Sequence, residues 1–223
     1  MKTGVGQVKE IYWNSSARIL VPPDLIPAPG QYLLAHARES DSPVAIPLFL
    51  SEAAPDGFRA APPTPSAWIP GARLNLRGPL GHGFALPASA RKVALIAFDD
   101  APERLRGLIA LAFKQKAEAV LVCASAIEDI PEAVEVQPLP ALSEIIAWAD
   151  YVAADVAREN LQQFKEALLK AGQTTPQTQI LIRAPMPCGA LAECGVCALT
   201  AKGQWKLICK EGPVFDMEKL TPP

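Results

Sequence analysis

Four of the five cysteines in this 223-residue chain fall in one segment, MPCGALAECGVCALTAKGQWKLIC, at positions 188, 194, 197 and 209. Thiolates gathered in this way are soft ligands for iron or zinc. Their order, C-x5-C-x2-C-x11-C, is one residue away from the C-x4-C-x2-C…C order that wraps a 2Fe-2S cluster. In that arrangement a tight turn supplies three thiolates and a returning strand supplies the fourth. Gly189 and Gly195 suit such a turn, because glycine takes φ > 0 and lets N–H groups approach the sulfurs, where hydrogen bonds tune the potential. Cys188, Cys194, Cys197 and Cys209 are therefore the candidate ligands of a 2Fe-2S cluster, a centre that passes single electrons.

The same donor set leaves structural zinc open as an alternative. Zinc ribbons, however, usually supply two C-x2-4-C knuckles, and here Cys188 and Cys209 each stand apart. An odd, clustered set of cysteines is not the pattern of a secreted disulfide framework. Cys123 ends an apolar run and reads as a small buried hydrophobe. The histidines, His36 and His82, have no Ser, Cys or Asp constellation that would make a triad.

Charge and hydropathy narrow the class further. Lys and Arg total 21 against 23 Asp and Glu, with no long block of either sign, so no footprint for nucleic acid is visible. The opening MKTGVGQVKEIYW lacks the apolar core of a signal peptide, and no apolar run approaches the roughly 20 residues that span a bilayer. The expectation is a cytoplasmic protein without a membrane contact. Half the residues are apolar, enough for a real core.

The elements that must position the cysteines fall into three stretches. Residues 1–90 hold short apolar runs at 7–13, 18–21, 31–36, 44–50 and 73–76, bounded by Pro, Gly or Asp, which predicts a small β-barrel or sandwich. Many of the 23 prolines lie in 21–29 and 61–70, where they make stiff loops. From residue 91 two continuous apolar runs, 92–98 and 117–123, flank a helical pattern at 102–116, the signature of a parallel βαβ unit. Helices are predicted at 141–149 and 158–171 and a strand at 178–183. After residue 183 the chain turns to Pro, Cys and Gly with little period, predicting a third small module held by something other than a core.

Three stretches carry a family likeness: PGQY at 29–32, GPLGHGF at 78–84 and the C-terminal MPCG…ECGVC…C. Together they resemble the iron-sulfur electron-transfer subunit of class 1B dihydroorotate dehydrogenase, of the ferredoxin reductase group, apart from one extra residue between Cys188 and Cys194. The resemblance implies a barrel that binds FAD, with Gly78, Pro79, Leu80 and Gly81 as flavin contacts and His82 near the flavin edge. It also implies an α/β domain of the NAD-binding type and a 2Fe-2S module. Electrons would pass to or from the FMN of a partner catalytic subunit in pyrimidine biosynthesis, making the chain one member of a hetero-oligomer.

Departures from the family pattern limit this. The family's Arg-x-x-Ser-like flavin anchor has no arginine in the corresponding Ile46-Pro47-Leu48-Phe49-Leu50-Ser51, a loss worth several kcal/mol of flavin binding unless replaced. Arg73 and Arg77 are the nearby substitutes, although strand arginines are more often solvated. The family's Gly-Gly-x-Gly phosphate turn is here Phe98-Asp99-Asp100-Ala101-Pro102-Glu103, which puts carboxylates where phosphates would sit. Asp99 or Asp100 before Pro102 reads instead as a helix cap. The late glycine-rich nicotinamide loop is also missing, with a helix expected through Ala147-Trp148-Ala149-Asp150-Tyr151. NAD binding is therefore expected to be weak or absent.

The reading is an α+β chain of three modules. A ferredoxin-reductase-like β-barrel occupies 1–90, a reduced α/β nucleotide-binding-like domain 91–183, and the cluster module 184–223. Its function is that of an electron-transfer subunit rather than a stand-alone catalyst, with Met186, Pro187 and Leu191 at the partner interface. The alternative is a non-catalytic assembly or regulatory subunit with a structural metal site.

Overall fold

The computed structural model describes residues 2–99, 102–124, 129–171 and 176–220. Six strands, β1 (Lys2–Ile11), β2 (Ala17–Leu20), β3 (Tyr32–Ala37), β4 (Ile46–Ala54), β5 (Gly57–Ala60) and β6 (Arg73–Leu80), close into an antiparallel barrel in the order β1-β2-β5-β4-β3-β6. Closure leaves no unpaired edge. Because successive side chains of a strand point to opposite faces, Leu33 and Ala35 of β3 fill the barrel with Ile19, Phe58 and Leu74. Tyr32 and Leu34 point outward into a second cluster. With Phe49 of β4 they form part of the surface on which the rest of the chain packs.

The α/β region comprises β7 (Lys92–Ala97), α1 (Arg106–Lys114), β8 (Glu118–Val122), β9 (Val134–Gln137), α2 (Leu142–Trp148), β10 (Tyr151–Ala157), α3 (Leu161–Lys170) and β11 (Gln177–Arg183). After it come the hairpin β12 (Ala198–Ala201) and β13 (Gln204–Leu207), then α4 (Ile208–Glu211), β14 (Val214–Asp216) and α5 (Met217–Leu220). The large sheet runs β14-β11-β10-β7-β8-β9, with parallel neighbours except β14, which is antiparallel to β11. Its central strands β7, β8 and β10 are almost continuously buried because both faces are covered. Val93 and Leu95 pack under α1 residues Leu108 and Ile109, while Ala94 and Ile96 pack under Ile145 of α2 and Phe164 of α3.

Two expectations are corrected. The predicted helix through 147–151 ends at Trp148, and Tyr151 opens strand β10. Alanine-rich Tyr151–Ala157 resembles helix by propensity, yet every residue but the last is buried, since small side chains suit a central strand packed on both faces. The C-terminal module is likewise not coreless. Strand β14 joins the large sheet, and Ile208, Phe215 and Leu220 bury in the same cluster as Phe164. The strands β5 and β9 and the β12-β13 hairpin are further elements that the sequence pattern did not mark.

Phe164 is fully buried and meets Phe98 edge-on, with ring centroids 5.2 Å apart. Phe164→Ala is expected to cost about 3–5 kcal/mol, read as a lower urea midpoint. An unchanged midpoint would contradict a shared core beneath α3.

Candidate metal centre

The segment between β11 and β12 folds back on itself because Gly189, Ala190, Ala192 and Gly195 all adopt left-handed backbone, with φ between 59° and 71°. Two of these are alanines, for which that conformation is unfavourable. Successive left-handed turns aim consecutive amides into one concavity, an arrangement that binds anionic groups.

The concavity holds the thiols. Backbone N–H groups of Glu193, Cys194 and Leu191 donate to Cys188, and with the Cys194 side chain they lower its pKa to about 6, the Glu193 amide contributing most. Cys209, at the start of α4, is pushed up to about 12, first by burial and then by its hydrogen bond to Cys197, with the Ala192 amide acting in the opposite sense. The four thiols thus meet as an outer pair, Cys188 with Cys194, and an inner pair, Cys197 with Cys209. Among the described residues no three His, Cys, Asp or Glu side chains already stand at metal-ligand spacing. The donor set nevertheless fits an anionic iron-sulfur core: the four thiols form two hydrogen-bonded pairs, Cys188 is close enough to act on Cys209, and at least four amides point at the Cys188 and Cys209 sulfurs.

Both domains pin this loop. From the barrel, the Tyr32 hydroxyl donates to the Cys209 carbonyl at 3.0 Å, and the Arg77 guanidinium donates to the Gly189 carbonyl. Burial first, then the nearby cysteines, raises the Tyr32 pKa, keeping that hydroxyl a donor. The His82 amide donates to Gly212 at 2.7 Å, and its Nδ1 donates to Glu211 at 2.9 Å. From the α/β side, Arg158 donates to the carbonyls of Val196 and Ala198, the latter at 3.2 Å. Arg77, considered above as a flavin cation, therefore serves the cysteine loop, and His82 is a tether. Tyr32 and Arg158 carried no local signal of this role. Met186, expected at an interface, is buried, whereas Pro187 and Leu191 are exposed.

The two glycines of the GPLG segment, Gly78 and Gly81, are closely packed. A Cβ on Gly81 would stand 2.5 Å from Pro213 and 2.6 Å from the Gly212 carbonyl, and one on Gly78 would stand 2.7 Å from Leu33. Leu80 packs into the core shared with α3. Gly81 and Leu80 thus let the barrel approach the C-terminal module closely, while Gly78 packs within the barrel.

A separate crevice of about 500 Å³ opens between the barrel and the ends of β10 and β11, lined by Pro47, Phe49, Pro62, Thr64, Arg104 and Arg183 among others. It lies beside the point where the strand order reverses, between β10 and β7, the usual ligand crevice of such sheets. A charge network reaches its lining through Arg104 and Arg183. Asp155, almost fully buried, accepts from Arg104 at 3.2 Å and from Arg183 at 2.7 Å, and Arg183 also pairs with Asp99. Asp99 further accepts from the Ala157 amide at 2.8 Å and Asn160 at 2.9 Å. Asp99 is therefore not the cap of the following helix. Leu105 precedes α1 with no side-chain cap, and Asp100 lies outside the described residues.

Residues 184–221 match the family described as the iron-sulfur cluster binding domain of dihydroorotate dehydrogenase B. No curated protein matches the chain. Among solved structures, that of an NADH-dependent reduced ferredoxin-NADP oxidoreductase, studied for flavin-based electron bifurcation, is 17% identical. It aligns over 98% of this chain and 90% of its own at a TM-score of 0.78. A ferredoxin reductase in carbazole 1,9a-dioxygenase is 18% identical with a TM-score of 0.58, over 77% of this chain and 65% of that one. A ferredoxin NADP+ reductase from Neisseria gonorrhoeae, with bound FAD and NADP, is 14% identical with a TM-score of 0.57, over 82% and 98%. The chain thus has the ferredoxin-reductase fold and ends in an iron-sulfur cluster binding domain of the dihydroorotate dehydrogenase B type, a combination that fits an electron-transfer subunit of that enzyme class.

Proposed function

We propose that the chain is the electron-transfer subunit of a dihydroorotate dehydrogenase-type complex in pyrimidine biosynthesis, and that Cys188, Cys194, Cys197 and Cys209 hold a 2Fe-2S cluster in it. The observation that carries this reading is the approach of four thiols, three from one loop and Cys209 from α4, with several backbone amides, within the segment that matches the cluster-binding family. When bound, such a cluster supplies one-electron transfer at a potential set by hydrogen bonds and burial.

The protein's own groups set those conditions. Amides of Leu191, Glu193 and Cys194 donate to the Cys188 sulfur, stabilising its anionic form. Cys197 and Cys209 are buried while Cys194 is exposed, so the centre has a dry inner side and an outer rim. Around that rim Leu191, Val196 and, on the β12-β13 hairpin, Trp205 are exposed. Apolar side chains of this kind favour a contact with a redox partner, and Pro187 and Leu191 belong to that face in this reading. Strand β14 and the core around Phe215 already fasten the module, so a metal acting solely as a staple would be redundant.

Nicotinamide binding is not part of this role. The turn after β7 carries no glycine, and Asp99 there is committed to Arg183, Ala157 and Asn160. A phosphate would meet carboxylate rather than bare amides.

Cys197→Ser is expected to abolish visible absorption and to lower bound iron from about two per chain; a coloured, iron-replete variant would contradict the ligand set. Tyr32→Phe removes one hydrogen bond to the Cys209 carbonyl, an expected loss of about 1 kcal/mol together with faster bleaching in air. Equal bleaching rates would show that Tyr32 does not hold the loop. Isothermal titration with NADH should give no saturable heat, and binding tighter than about 1 μM would overturn the statement on nicotinamide.

A further inference from the structure

We infer that Arg77 and Arg158, one from the barrel and one from the α/β domain, raise the reduction potential of the centre in the cysteine loop. They act as positioning residues, through the peptide groups beside the cysteines rather than on the sulfurs. The inference rests on the reading of the four cysteines as ligands of a one-electron centre.

The first reason is where the guanidiniums reach. Arg77, on β6, donates to the Gly189 carbonyl, in the residue next to Cys188. A Cβ on Gly189 would stand 3.7 Å from the Arg77 Nη2, and Arg77, Cys188 and Gly189 line one groove of about 670 Å³. Arg158, directly after β10, donates to the Val196 and Ala198 carbonyls on either side of Cys197, the second at 3.2 Å. Each cation thus grips peptides that adjoin a candidate ligand.

The second reason is that their charge is not cancelled. Arg104 and Arg183 are bound to Asp155 and Asp99, whereas Arg77 and Arg158 form no ion pair among the described residues. No described Asp or Glu lines the groove that holds Arg77. Glu193, the carboxylate inside the loop, is exposed, where solvent screens it, and Glu211 is paired with Lys206 at 2.7 Å. Arg77 and the thiols of Cys188, Cys197 and Cys209 also act on the Tyr32 hydroxyl in opposite senses, which places guanidinium and thiols around one point.

The direction of the effect follows from charge. Reduction adds an electron to a centre that is already anionic, so a cation held beside it favours the reduced state over the oxidised one. Arginine keeps its charge at any working pH. A cation this close to a group that gains negative charge shifts its equilibrium by about tenfold, which for one electron corresponds to about 59 mV.

The test is a redox titration of the purified full chain, followed by its visible absorption, on the wild type and four variants. Arg77→Gln and Arg158→Gln keep a donor for the carbonyl but lose the charge, and each should lower the midpoint potential by the about 59 mV of a tenfold shift. Arg77→Lys and Arg158→Lys keep the charge and should recover more than half of that fall. An unaltered potential in either Gln variant would overturn the inference for that residue. Equal falls in the Gln and Lys variants would overturn it by assigning the effect to guanidinium geometry, and loss of iron from both Gln variants would overturn it by making the arginines purely structural. A wild-type chain with no reducible centre would instead remove the reading on which the inference stands.

Discussion

A loop that must aim its amides at a cluster of thiols holds a backbone it would not choose, and everything around it serves to keep it there. Gly189, Ala190, Ala192 and Gly195 are all left-handed, and the two alanines each bear a steric cost of about 1–2 kcal/mol for it. Such a conformation persists only where its surroundings over-determine it. Here Arg77 and Tyr32 reach in from the barrel, Arg158 from the α/β domain, and the buried Ile208 and Cys209 anchor the return. The strained loop is thus the meeting point of all three parts of the chain.

This dependence explains why the C-terminal segment is not an appendage. Strand β14 extends the large sheet beside β11, Gly212 and Pro213 press on Gly81 at the end of the barrel, and His82 bonds to Glu211 and Gly212. Gly81 has a packing role in this arrangement, since any side chain there would drive the barrel away from the module. Across the molecule the Asp99–Arg183–Asp155–Arg104 network does comparable work between barrel and sheet. A buried carboxylate shared by two guanidiniums costs desolvation, offset only by well-made bonds, and it fills the place where this class of sheet usually holds a nucleotide.

Much of this was legible in the sequence, and the limits have physical causes. The ligand candidates were visible because cysteine type and spacing are local. So were β7 and β8, whose unbroken apolar runs reflect burial on both faces. Strand β10 was hidden, since Ala153, Ala154 and Ala157 score as helix while their real role is to be small between β7 and β11. The tethers were beyond reach altogether: Tyr32 lies 177 positions from Cys209 and Arg77 lies 112 from Gly189. Asp99 was read as part of a helix cap, whereas in the structure it pairs with Arg183 at the end of β11. No helix among the described residues is long and apolar enough to cross a membrane.

The central claim is a one-electron centre in the cysteine loop. The most direct measurement is electron paramagnetic resonance on anaerobically purified full-length protein, before and after dithionite, with iron and zinc assayed on the same sample. The account predicts a silent oxidised sample, a spectrum characteristic of a reduced 2Fe-2S cluster after dithionite, and about two irons per chain. A colourless protein that stays silent after reduction and carries one zinc would contradict it.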